Sequence, residues 1–342
     1  MPPSSPHAHG PASVSRLMAR VILALLPGIA AYAWAFGPGI LVQLAYAGLL
    51  ALAAEALLLR LRGRPLAPFL GDLSAVLTAL LLALALPPLA PWWFTAIGVL
   101  FAIVVAKHLY GGLGYNPFNP AMVGFVVLMV SFPLEMTRWP APLGLDGSAP
   151  GLGEAFALVF GGTLPAGVTL DALSGATPLD HLRTGLAQGQ PLGALLGDGT
   201  VFGHLGGRGW EWIQLGFLAG GLYLLASRTI DWRIPAGLLA GLLLPAALFH
   251  LLDGARHASP LFHALNGATV LGAFFIATDP VTASTTPRGR LLFGAGIGLL
   301  TWVIRTFGGY PDAIAFAVLL MNMAAPIIDH YTRPRAFGEV IE

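Results

Sequence analysis

Ten apolar runs constrain this chain before anything else does. They cover residues 17–34, 40–59, 73–86, 92–106, 121–132, 212–226, 234–252, 267–283, 291–304 and 313–328. A lone helix needs about 20 residues to cross the hydrocarbon layer. Several runs are shorter, and the short ones border on proline or glycine, as in "NPFNPAMVG" from Asn116 and "ATDPVTAST" from Ala277. Irregular backbone at membrane depth is tolerated only where neighbouring protein satisfies it, so these segments predict broken or tilted helices inside a bundle. Charged residues make up 10% of the chain and hydrophobic residues 56%, whereas a soluble domain carries about 25% charged residues. The expected fold is an all-α polytopic membrane protein with about ten transmembrane helices, some of them short or broken.

Arginine and lysine orient the runs. With the N-terminus in the cytoplasm, twelve basic residues fall in inside loops (Arg16, Arg20, Arg60, Arg62, Arg64, Lys107, Arg228, Arg233, Arg288, Arg290, Arg333 and Arg335). Five fall outside: Arg138, Arg183, Arg208, Arg256 and Arg305. The excess obeys the positive-inside rule. The expected layout is a cytoplasmic tail over residues 1–16, a first membrane half over 17–134, an outer loop region over 135–209, a second half over 210–330 and a cytoplasmic tail over 331–342. Residues 17–36 could also serve as a signal peptide; the long polar lead and Pro27 within the run favour an uncleaved span. Five runs per half would make the halves inverted repeats. "KHLYGGLGYNP" from Lys107 echoes "RTFGGYPD" from Arg305, although Gly-Gly-Tyr beside a helix end is also ordinary turn chemistry.

Several chemistries are excluded. There is no cysteine, hence no thiolate-held iron–sulfur cluster and no dithiol exchange. The net charge of +1 offers no basic surface to nucleic acid. Lys107 is the only lysine and no "GxxxxGK" exists, so a Walker phosphate loop is absent. "HExxH" and "GxSxG" are also missing, and the His7/His9 pair falls short of the three or four ligands that zinc takes; no metal site is expected. Carboxylates in or beside apolar runs are Glu55, Asp72, Asp279, Asp312 and Asp329. Glu55 and Asp329 sit near expected cytoplasmic ends, where solvation explains them. Asp279 either caps a helix restarting at Pro280 or meets an ion or cofactor.

The outer region is far longer than an ordinary connection and holds "DALSGATPLD", Asp171 to Asp180. A threonine hydroxyl can accept a transferred group. Gly175 and Ala176 leave the approach to Thr177 open, and Pro178 biases Thr177 toward an extended backbone. A plain Ser-Gly turn is the competing reading. A near copy, "NGATV", occupies Asn266 to Val270 inside an apolar run, where no soluble enzyme could reach; small residues there suit a packing face.

"DALSGAT" is similar to the Asp-x-x-Ser/Thr-Gly-Ala-Thr pattern of proteins that carry FMN on threonine through a phosphoester, installed from FAD by a periplasmic, Mg-dependent flavin transferase. With "SPHAHG", "GYNPFNPAMVGF", "EWIQLGFLAGGLYLL", "GAFFIATDPVTAST" and "YPDAIAFAVLLMNMAAPIIDHYTRPRAFG", nearly the whole chain resembles the D subunits of the Rnf (Rsx) ion-translocating electron transport complex. A sister family, the B subunits of the sodium-pumping NADH:quinone reductase, shares the fold and the flavin threonine but usually has a longer N-terminal part. The resemblance implies covalent FMN on Thr177, with Asp171, Ser174, Gly175 and Ala176 as the recognition context. It also implies a place beside the A, B, C, E and G subunits of that complex in a bacterial inner membrane, where electron transfer between ferredoxin and NAD is coupled to Na⁺ or H⁺ movement. A second, non-covalent flavin (riboflavin) is associated with the fold; Asn116, Asn119 and Asp279 are the candidates for an interior flavin or ion site, since polar groups at helix breaks suit one. "HALNGATV" departs from the pattern at His263 and Asn266. Rival readings are a transporter or channel without covalent flavin and a structural membrane scaffold.

Overall fold

A computed structural model describes residues 12–142, 150–164, 174–310 and 312–333. It is all-helical apart from one short strand pair, and every one of the ten apolar runs contains helix. Six helical segments are long and apolar enough to cross a membrane: Val14–Phe36, Gly39–Leu61, Leu66–Ala85, Arg233–Leu252, Pro287–Phe307 and Ile314–Thr332. Trp92–His108 and Pro120–Ser131 are shorter apolar helices, and Trp210–Ala226 has 17 residues. The chain is thus a multi-pass membrane protein.

Helix starts follow local chemistry. Asn119, Thr177, Ser259 and Thr286 each accept an amide of the first turn on the side chain, with proline at the next position. Proline at the first helical position loses no intrahelical bond. The short runs are irregular as expected. Trp92–Leu100 continues as a π-helix over Phe101–His108, and Thr269–Leu271 continues as a π-turn over Gly272–Ile276. No helix restarts at Pro280; Asp279 instead closes a turn by accepting from the Val281 amide at 3.1 Å and the Thr282 hydroxyl at 3.1 Å. The next helix begins at Pro287.

Close helix pairs use small residues, as membrane bundles do. A Cβ at Gly220 would collide with the Ala24 carbonyl, and one at Gly298 with that of Leu238. These contacts bring Ala12–Phe36 onto Trp210–Ala226, and Arg233–Leu252 onto Pro287–Phe307.

Two buried cations lie at the ends of the echoing segments. Lys107, 2% exposed, donates to Glu55 at 2.6 Å and to the Ser74 hydroxyl at 2.7 Å. His108 also meets Glu55 at 2.9 Å. Solvation therefore does not explain Glu55, which is 2% exposed: it is the counter-charge of a buried lysine. Arg305, 7% exposed, donates to Thr269 Oγ1 at 3.0 Å, the His263 carbonyl at 3.0 Å and Asp312 at 2.9 Å. In both clusters a cation at the end of one helix bonds a hydroxyl at the start of a short one. Asp329 is likewise engaged, accepting from Ser284 and from the Thr285 amide and hydroxyl.

Candidate functional site

Thr177 is the N-cap of Pro178–Ala187, its hydroxyl accepting from the Asp180 amide at 3.2 Å. Its backbone is extended, φ −65° and ψ 154°, as the following proline dictates. Just before it, Ser174–Gly175 pairs antiparallel with Trp139–Pro140, Trp139 opposite Gly175. Ala176 is exposed and Thr177 half-buried. Asp171 lies outside the described residues, as do His7 and His9.

Beside Thr177 opens a cavity. Its walls include Tyr32, Met122 and Phe125, Trp139, Trp210 and Phe217, and Gly267 with Ala268. Trp139 and Trp210 stand 5.0 Å apart between ring centroids, and Tyr32 lies 6.4 Å from Trp210. The mostly apolar, aromatic lining with a few polar groups suits a small organic ligand. The start of a ten-residue helix at its edge favours an anion such as a phosphate, because first-turn amides and the helix dipole point there. The negative Asp180 in that turn is partly offset by Arg183 at 3.4 Å.

The "NGAT" copy lines the same cavity, its Gly267 and Ala268 in the wall. Gly267 has φ +64°, and a Cβ there would meet Asp312, Leu179 and Arg305 at 2.6–2.7 Å. Asn266, fully buried, accepts from the Gly207 amide at 2.8 Å and donates to the Phe262 carbonyl at 2.8 Å. Gln214 donates to the Gly267 carbonyl and accepts from the Val270 amide at 3.0 Å. Thr269 is completely buried and donates to the His263 carbonyl at 2.7 Å. The copy is therefore more than a packing face: it is a rigid loop that lines the cavity while its threonine stays out of reach. The two tetrapeptides differ most at glycine. Among the described residues the nearest atom to a Cβ added at Gly175 is Ala141 Cα at 4.0 Å, and φ is not positive, so none of the described packing requires glycine there.

Asn116, Asn119 and Asp279 come together at a second cavity, with Lys107, Ser74 and Phe275. The Asn119 amide nitrogen donates to Asn322 Oδ1 at 3.0 Å, and its side chain reaches Asp279 at 3.5 Å. Asn116 Oδ1 is buried without a partner. Val21 lines this cavity and Tyr32 the first; eleven residues of one helix separate them, roughly 16 Å at 1.5 Å per residue. Among the described residues no cluster of three or more His, Asp or Glu could hold a metal ion.

Sequence reading missed Tyr32, Trp139, Trp210 and Gln214, because only tertiary packing brings them to Thr177. Trp139, the sole tryptophan of the 135–209 region, was the available signal.

Residues 2–338 match the model of the NQR2, RnfD, RnfE family. The chain is 53% identical to the D subunit of the ion-translocating oxidoreductase complex of Cronobacter sakazakii, over 98% of each chain. The protein of the same name in Aeromonas hydrophila is 54% identical over 98% of this chain and 97% of its own, and that in Pseudomonas paraeruginosa 54% over 98% and 95%. With matches of this extent converging on one group of membrane proteins, the chain belongs to the NQR2, RnfD, RnfE family.

Proposed function

We propose that this chain is the flavin-carrying membrane subunit of an ion-translocating oxidoreductase complex, acting with the other subunits and not as an enzyme alone. Thr177 carries FMN through a phosphoester, and the complex links electron transfer between ferredoxin and NAD to Na⁺ or H⁺ movement. The observation that carries this reading is the cavity at Thr177: a cap threonine on an accessible loop opens onto an aromatic-lined chamber.

In the attachment, a bond forms between Thr177 Oγ1 and the phosphorus of the FMN half of FAD. The pyrophosphate bond breaks, AMP leaves, and the hydroxyl proton passes to the transferase's base. Glycine at 175, unneeded by the packing of the described residues, clears a path for that second protein, with Asp171, Ser174 and Ala176 as recognition context. Bound flavin supplies one- and two-electron chemistry, while the protein supplies position and electrostatics. Tyr32, Trp139 and Trp210 exclude water from the ring, and the first turn of Pro178–Ala187 favours the phosphate charge.

The second cavity suits a non-covalent flavin such as riboflavin or an ion, with the unpartnered Asn116 oxygen, Asn119 and Asp279 as its polar contacts. Ten spans in two inverted halves are supported by the paired cation clusters, Lys107 with Ser74 and Arg305 with Thr269. Both chain ends then lie in the cytoplasm and Thr177 on the outer side of a bacterial inner membrane. That placement agrees with the grouping of helix ends: Tyr32, Trp210, Gly267 and Asp312 meet at one cavity, and Met18, Lys107, Asn119 and Asp279 at the other. Exposed Trp34 and Trp212, edge-to-face at 6.2 Å, suit an interfacial belt at the Thr177 end.

The test is in-gel flavin fluorescence of the denatured chain, co-expressed with a flavin transferase, beside Thr177→Val and Thr269→Val. Only Thr177→Val should lose fluorescence. Fluorescence persisting in Thr177→Val would refute the assignment, and a dark unmutated chain would favour a transporter without covalent flavin.

A further inference from the structure

Among the described residues lining the cavity at Thr177, one buried side-chain polar atom is left unserved. Tyr32 is 1% exposed, and its hydroxyl is buried without a hydrogen-bond partner. Several other polar side chains of the lining are engaged. Gln214 holds Gly267 and Val270, and Asp312 holds Arg305 and the Ala268 amide. Trp139 donates to the Met136 carbonyl, Thr137 to that of Leu134, and Asp180 meets Arg183.

A buried hydroxyl without a partner costs about 1–3 kcal/mol, and phenylalanine would fill the same space without it. Phe36 at 5.6 Å and Trp210 at 6.4 Å hold the ring by its faces and edges, and those contacts need no hydroxyl. The phenol's polar end therefore has no structural use within this chain. Tyr32 sits in the first helix, 145 positions before Thr177 in sequence, and the fold brings both to the same chamber.

We propose that the Tyr32 hydroxyl donates a hydrogen bond to the ring system of the flavin tethered at Thr177, and so sets its reduction potential; this rests on the reading of Thr177 given above. Heteroatoms of the ring gain negative charge on reduction, so a phenol donor stabilises the reduced form more than the oxidised one. Hydrogen bonds to charged groups are about twice as strong as neutral ones. Removing the donor should disfavour the reduced flavin about tenfold, which reads as a potential lowered by about 59 mV for one electron.

The full chain, co-expressed with a flavin transferase, is purified unmutated, as Tyr32→Phe, as Thr177→Val and as the double variant. In-gel fluorescence reports covalent loading, spectroelectrochemical titration reports the potential, and thermal melting reports stability. Thr177→Val supplies the baseline for any second flavin. The expected result is that Tyr32→Phe retains fluorescence, titrates at the lower potential, and melts no lower than its parent in the flavin-free Thr177→Val background. An unchanged potential with fluorescence retained overturns the role of Tyr32 and leaves the Thr177 assignment standing. A lower melting point, or failure to accumulate, in the flavin-free background would mean that the hydroxyl serves the protein itself, and this too overturns the proposal. A dark unmutated chain refutes the Thr177 assignment, and with it the proposal.

Discussion

Replacing Gly175 by alanine adds one methyl where the nearest atom among the described residues is 4.0 Å away and the backbone is not left-handed. Replacing Gly267 adds the same methyl where φ is +64° and three side-chain atoms lie within 2.7 Å. At Gly175 the chain should be unaffected or slightly stabilised, by roughly 0.4–1 kcal/mol, because alanine restricts the unfolded state. At Gly267 the left-handed backbone costs about 1–2 kcal/mol, and forcing the methyl against Asp312, Leu179 and Arg305 adds about 1–3 kcal/mol. The total, about 2–5 kcal/mol, is enough to move the melting curve in detergent clearly. Flavin loading should run the other way: Gly175→Ala, though fully folded, should load poorly because its methyl stands where the transferase must approach. Gly267→Ala should load in proportion to the folded fraction that remains. Thermal melting followed by in-gel fluorescence on the same samples separates the two. Normal loading of Gly175→Ala, or a melting loss equal to that of Gly267→Ala, would refute the claim that this glycine answers to an outside partner.

Three further outcomes are expected. Glu55→Gln should destabilise by about 3–5 kcal/mol by stranding the buried Lys107 charge, and Glu55→Gln combined with Lys107→Met should recover much of that in a melting assay; equal losses would mean that the pair is not coupled. Arg305→Met should speed amide exchange at Ala268 and Val270, because Asp312 and the 266–270 loop lose the guanidinium that joins them; unchanged exchange would show that Gln214 alone fixes the loop. At Asp231, partial burial would raise the carboxyl, but the Arg233 amide and the Arg290 and Arg233 guanidinia outweigh it and hold the group below its ordinary value. Its stabilisation is therefore present above the unfolded carboxyl pKa of about 3.9 and disappears as pH falls through the lower folded value. The melting difference between the unmutated chain and Asp231→Asn should be flat from neutral pH to about 5 and shrink below about 4; a difference that grows on acidification would contradict this sign.

The membrane architecture was largely legible because hydrophobic length and proline or glycine punctuation act locally. Each apolar run contains helix, and the breaks at "NPFNP" and "ATDPV" are irregular as their prolines require. The electrostatics were less legible. Glu55 near the end of an apolar run looks solvated until the fold sets it against Lys107, a helix away; the signal was a single lysine in so apolar a chain. Asp279 looked like a helix cap, but two threonines and a proline after it favour a turn. The motif at Thr177 could be read from its spacing, whereas its chamber could not, since Tyr32, Trp139, Trp210 and Gly267 meet only after packing. Most instructive is the copied tetrapeptide. Its departure at Asn266 is what ties it into the wall: the Asn266 side chain bridges Gly207 and Phe262, which the serine of the true motif is too short to span.

The central claim is tested most directly by mass spectrometry of the proteolysed chain, purified from membranes in which a flavin transferase is present. The peptide containing Thr177 should be heavier by the mass of FMN less one water, with fragment ions placing the addition on Thr177, and the peptide containing Thr269 should be unmodified. An unmodified Thr177 peptide alongside a functional transferase, or a flavin mass found on any other residue, would contradict the account.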